Sequence, residues 1–145
     1  MQGMSIIVKK VAQLLSGLIF MYGIYIITHG HLTPGGGFAG GAILAGSLIL
    51  LVLAFGSDVM RLQKREAGSS IMESAAILGF LLLAVAAIIA GAGIFFYNYL
   101  PKGQLFHLVS AGVIPLYNIM VGIEVAAALF TIFLALVIYK EELKQ

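Results

Sequence analysis

The chain has 145 residues, 61% of them hydrophobic and 10% charged, with a formal net charge of +2 and a mean hydropathy of +1.10. This is too apolar for a soluble globular domain and places the chain among integral membrane proteins. It has no cysteine, which excludes disulfides, thiolate metal sites and cysteine nucleophiles.

Four stretches reach the roughly 20 residues needed to cross the hydrocarbon core: Ile6 to Thr28, Gly36 to Phe55, Met72 to Tyr99 and Val113 to Tyr139. They predict an all-α membrane bundle of four transmembrane helices forming a single domain over residues 1–145. The apolar run after Lys9 and Lys10 exceeds a signal-peptide core, and no small-x-small site closes it, so the first span is expected to stay. Lys9, Lys10, Arg61, Lys64, Arg65, Lys140 and Lys144 fall on one side of the spans and only Lys102 on the other. The positive-inside rule then predicts that both termini and the 56–70 loop are cytoplasmic. The basic loop also suits anionic lipid headgroups.

Span one closes on His29-Gly-His31, and the connection continues as Leu-Thr33-Pro34-Gly35-Gly36-Gly37-Phe38-Ala-Gly40-Gly41. Thr33 is expected to cap a helix whose first turn holds Pro34, since proline needs no N–H there and its φ is already helical. Gly37, Gly41 and Ala45 repeat at four-residue spacing, as do Gly36 and Gly40, so that another helix can approach this backbone closely. The two histidines sit where unpaired carbonyls favour a cation. They are candidates for proton relay, with anchoring and hydrogen bonding to the loop as the plainer reading. A zinc site needs further ligands, and the outer connections offer only His107, so no metal is expected. Gly35 to Gly40 also spells G-x-G-x-x-G, but that fingerprint requires a preceding buried strand in a βαβ unit, and here a membrane span precedes it. No nucleotide or other cofactor follows, nor any nucleic-acid partner.

Before span three, Ser70-Ile-Met-Glu73 fits a capping box, with Ser70 as the cap and Glu73 reaching back to it. Along the span, Ala76, Gly79, Ala86, Ala90 and Gly93 recur at helical steps and predict a small-residue packing stripe. Stripes on spans two and three together exceed what one four-helix bundle uses, which predicts partner subunits.

In span four, Glu124 stands about eleven positions in, roughly 16 Å from the span's start at 1.5 Å per residue. A charge at that depth costs on the order of 2.5–3.5 kcal/mol on insertion scales, so this acid must be protonated, paired or turned toward hydrated protein. Tyr117 and Thr131 lie seven residues before and after it and share its face, giving one polar seam along an apolar helix. Two readings stand side by side: a place on an ion or proton path, and a hydrogen bond to a neighbouring subunit.

The His29-Gly-His31…Thr33-Pro-Gly-Gly-Gly-Phe38…Gly40-Gly41 stretch, in a four-span chain of this length, resembles the MnhB/MrpB family, a small component of Mrp-type multisubunit Na+/H+ antiporters. The family has counterparts in the membrane arms of archaeal membrane-bound hydrogenases and sulfur-reducing complexes. Ile114-Pro-Leu-Tyr117-Asn118 and Gly122-Ile-Glu124-Val125 look more like that archaeal branch. The resemblance implies a non-enzymatic accessory subunit in the cytoplasmic membrane, partnered by larger subunits of a complex that moves Na+ and H+. No lysine occupies a span centre, so the chain lacks the lysine and acid row of a self-sufficient proton channel. Glu124, His29 and His31, with Tyr117 and Thr131, would contribute a segment of the route; in the alternative, the chain is a scaffold that no ion touches.

Overall fold

The computed structural model describes residues 4–56, 62–104, 107 and 110–142. Arg61 and Lys144, counted above among the basic residues, lie outside the described residues, as do the side chains of Lys64 and Arg65. Four helices are long and apolar enough to span a membrane. We name them α1 (Ile6–Thr28), α2 (Gly36–Phe55), α3 (Leu62–Ala87) and α4 (Ile114–Glu142).

The first two helices have the expected bounds. α1 follows Ser5, whose hydroxyl accepts from Val8 N–H at 3.5 Å. It ends where Thr28 Oγ1 donates to the carbonyls of Ile24 and Tyr25, at 3.1 and 3.0 Å. α2 does not start as expected. Thr33 caps nothing; its hydroxyl donates to His29 O at 3.2 Å, and Pro34 lies in a bend before the helix. Gly35 (φ 141°) and Gly36 (φ 70°) then turn the chain through the left-handed region, where a side chain would be strained.

α3 departs furthest from expectation. It begins at Leu62, inside the segment read as a loop, so Ser70 and Glu73 are helix-interior residues and form no capping box. Ser70 O accepts a bond from Ser74 Oγ at 3.0 Å instead. At the other end the α-helix stops at Ala87, passes through a π-helical turn, Ile88–Ala92, and ends at Gly93 with φ 64°. Residues 93–99, predicted as the end of span three, are irregular. The packing register differs as well. Ala76, Ala84 and Ala87 are buried and Gly79 meets Met120 of α4, whereas Ala90 is exposed and Gly93 has nothing within 4 Å of a built Cβ. Ala86 is only half-buried.

The helices form an open row in the order α1, α2, α4, α3 rather than a closed bundle. α1 contributes one stripe, Ala12, Ser16, Gly23 and Ile27, at four- and seven-residue steps. α2 lies between two neighbours and uses both its faces. Gly40 packs on α1, where a Cβ would stand 2.5 Å from Ile27 Cγ1 and 2.9 Å from Gly23 O. Gly37 and Gly41 pack on the α4 backbone at Asn118, Gly122 and Ala126. Ile27 also fills the notch over Gly122, whose Cβ would stand 2.5 Å from Ile27 Cδ1. Toward the other end of the α2–α4 interface bulky residues replace glycine: Val52, Phe130, Leu134 and Val137 form the core cluster, flanked by Leu48, Ile49, Phe133 and Ile138. α3 lies on the far side of α4 and, among the described residues, packs on no other span. Only 17% of its span is buried inside the chain.

α4 begins under a side-chain clamp. Asn98 Oδ1 accepts from Val113 N–H at 2.9 Å and its Nδ2 donates to Ala111 O at 3.0 Å. The clamp satisfies groups that a helix start leaves open. Pro115 follows in the first turn, where its missing N–H costs nothing.

Candidate functional site

The seam residues of α4 all lie on its α3 side. At one end Tyr117 packs into an aromatic cluster with Phe80 of α3 (ring centroids 5.0 Å apart) and Phe96 (5.6 Å). Its hydroxyl is buried with no partner among the described residues. Phe96 reaches this cluster from the irregular segment after the π turn by adopting φ 63°, the one positive φ among described non-glycine residues. A bulky residue occupies that region only at a conformational cost.

At the other end Thr131 Oγ1 lies 2.8 Å from Ser69 Oγ, and Ser69 Oγ donates to Ala127 O at 2.9 Å. The hydroxyls thus form a directed relay, Thr131 to Ser69 to the carbonyl, that fixes α3 against α4. Ser69 was missed in the sequence because its segment reads as a loop.

Glu124 lies between these ends, half-buried. It lines a cleft of about 190 Å³ with Met120 and Val121 of its own helix and Ala76, Ile77 and Phe80 of α3. Every other lining side chain is apolar. Among the described residues no hydrogen bond or ion pair engages its carboxylate. Seven residues of helix separate it from Tyr117 and from Thr131, about 10 Å along the axis in either direction. Direct proton transfer to either hydroxyl is therefore out of reach, and exchange at Glu124 needs water or a group from outside the chain.

The histidines occupy a separate place. His29 caps α1: its Nδ1 lies 3.0 Å from Tyr25 O and 3.1 Å from Thr28 Oγ1, and its ring stacks on Tyr25 with centroids 4.1 Å apart. The carbonyl contact assigns the proton to Nδ1 and leaves Nε2 free. His31 turns the other way, with Nε2 3.4 Å from His107 O and a buried Nδ1 that has no partner among the described residues. The two rings do not converge, and no group of three or more potential metal ligands forms among the described residues. The His29–Gly35 turn joins the bundle through Asn118, whose amide nitrogen would lie 3.0 Å from a Cβ on Gly30 and whose Oδ1 would lie 3.8 Å from one on Gly36. Asn118 sits six residues from Glu124, about 9 Å along the helix. The histidine turn and the acid therefore share a helix end and its interior without touching.

The family model for the domain related to the MnhB subunit of the Na+/H+ antiporter matches residues 7–131. An uncharacterized protein of Methanocaldococcus jannaschii is 39% identical over 141 residues, covering 86% of this chain and 49% of that protein. The MnhB-type antiporter component of Bacillus subtilis, a Na+/H+ antiporter protein, is 38% identical over 56 residues, 39% of each chain. A chain in the structure of the membrane-bound sulfane sulfur reductase, an archaeal respiratory membrane complex, superimposes with a TM-score of 0.70 at 30% identity, covering 92% of this chain and 58% of that one. The chain thus spans about half the length of these relatives, or less in the bacterial case. With the family match extending from the second residue of α1 to Thr131, close to the end of the final span, the chain belongs to the MnhB family.

Proposed function

We propose that the chain is an accessory subunit of an Mrp-type Na+/H+ antiporter module, carried within an archaeal respiratory complex of the cytoplasmic membrane, and that Glu124 borders its hydrated sodium or proton route. The observation that carries this reading is a mid-span carboxylate lining a cleft with no internal partner. An acid left unpaired at that depth is a functional group by default. The bacterial antiporter relative supports the ion-exchange half of the reading, and the archaeal likeness supports the respiratory half. In such a complex the chain is a non-catalytic part. Lys9, Lys10 and Lys140 at one end of the spans support cytoplasmic termini, with the His29–Gly35 turn on the outer side.

The test is Glu124→Gln in the intact complex, which keeps the shape and most hydrogen bonding but removes ionisation. Reconstituted vesicles should lose coupled Na+/H+ exchange at least tenfold while subunit composition stays unchanged. Wild-type exchange in the variant would refute the transport role. It would leave the scaffold reading, which the outward apolar faces of α1, with Leu14, Leu18 and Met21 exposed, independently favour.

A further inference from the structure

The cleft at Glu124 opens on a defined side of the row. On α4, Gly122 receives Ile27 of α1, and Glu124 follows two residues later, a rotation of about 200°. Glu124 therefore faces away from α1, onto the side of the α3–α4 pair that no helix of this chain covers. Ile77, which lines the cleft from α3, is 53% exposed there. Glu73 stands one turn before Ile77 on the same stripe of α3. It falls inside the membrane-spanning part of the helix, Glu66–Ala90. The antiparallel register, set by Ser69 against Thr131 and Phe80 against Tyr117, places Glu73 between the Ser69 contact and the cleft. With the capping box gone, Glu73 has no structural employment of its own.

Two acids thus share one uncovered face within the membrane. The chain has no lysine or arginine between Arg65 and Lys102 or between Lys102 and Lys140, so it offers no cation at this depth. Hydrocarbon cannot supply one, and carboxylates left in lipid are costly. We infer that this α3–α4 face seats a transmembrane helix of another subunit, and that this helix presents a lysine or arginine to Glu124 and Glu73. The inference rests on the reading of the chain as one subunit of a larger membrane complex. Small side chains on the cleft floor, Ala76 foremost, allow the incoming helix to approach closely.

Photo-crosslinking in native membranes tests this. Ile77→p-benzoylphenylalanine places the probe on the face, and Leu81→p-benzoylphenylalanine, at a residue 50% exposed one turn further, serves if the first variant does not assemble. The expected product is an adduct with one transmembrane segment of another subunit, mapped by mass spectrometry to within one turn of a lysine or arginine. Lipid adducts alone, or an adduct on a helix without a basic residue at that depth, would overturn the inference. Co-purification separates the two levels. If tagged protein brings down no other subunit, the parent reading fails; if it brings down the complex but the probe finds only lipid, this inference alone fails.

Discussion

Replacing Gly41 with alanine measures how closely α2 and α4 approach. A Cβ at Gly41 would stand 2.6 Å from Gly122 O and 2.9 Å from Val125 Cβ. The oxygen belongs to the backbone, so no rotamer change relieves the overlap. Restoring ordinary contact requires the helices to part by about 1 Å. Overpacking of this kind costs about 1–3 kcal/mol, partly offset by the better helix propensity of alanine, about 0.8–1.0 kcal/mol. Gly46 on the same helix supplies the control, since nothing lies within 4 Å of its built Cβ. Gly46→Ala keeps the propensity gain without the overlap, so propensity cancels between the two variants and they should differ by about 1–3 kcal/mol. Unfolding by sodium dodecyl sulfate in mixed micelles, followed by circular dichroism, reads that difference directly. Equal stability of Gly41→Ala and Gly46→Ala would refute the glycine-distance packing of α2 on α4.

Three further outcomes are expected. Thr131→Val should cost about 0.5–1.5 kcal/mol through its lost bond to Ser69, and the double variant with Ser69→Ala should fall short of additivity by at least about 0.5 kcal/mol in the same titration. Asn98→Ala unclamps the start of α4 and should cost about 0.5–2 kcal/mol; hydrogen exchange should accelerate at Val113 while amides near Leu134 stay protected. Phe96→Gly and Phe96→Ala both lose the aromatic contacts to Phe80 and Tyr117, but only glycine relieves the positive φ, so the glycine variant should be the more stable by about 1 kcal/mol.

The bounds of α1 and α2 were legible because apolar character and helical character end together there, at Ser5, His29, the Gly35–Gly36 turn and Gly56. In α3 they part company. Residues 62–70 are polar yet helical, and residues 93–99 are rich in aromatic side chains yet irregular. Hydropathy reports where lipid is tolerated, whereas the helix end is set by the π turn and by Gly93. The seven-residue spacing of Tyr117, Glu124 and Thr131 was visible in one helix, and all three do line its α3 side. Their neighbours Ser69, Phe80 and Phe96 come from elsewhere in the chain, and only tertiary packing reveals them. The same holds for Ile27, which looks like any other aliphatic residue until Gly40 and Gly122 are seen to make room for it.

The arrangement of the spans bears on how the protein is made. α3 is synthesised third, but its sole intrachain neighbour among the described residues is α4, which leaves the ribosome last. During biogenesis the α1–α2 hairpin can close early, while α3 waits alone in the bilayer with its acid at Glu73 unsheltered. A chain cut short before Ile114 would lose two helices from the assembly, because the one that remains has nothing to hold.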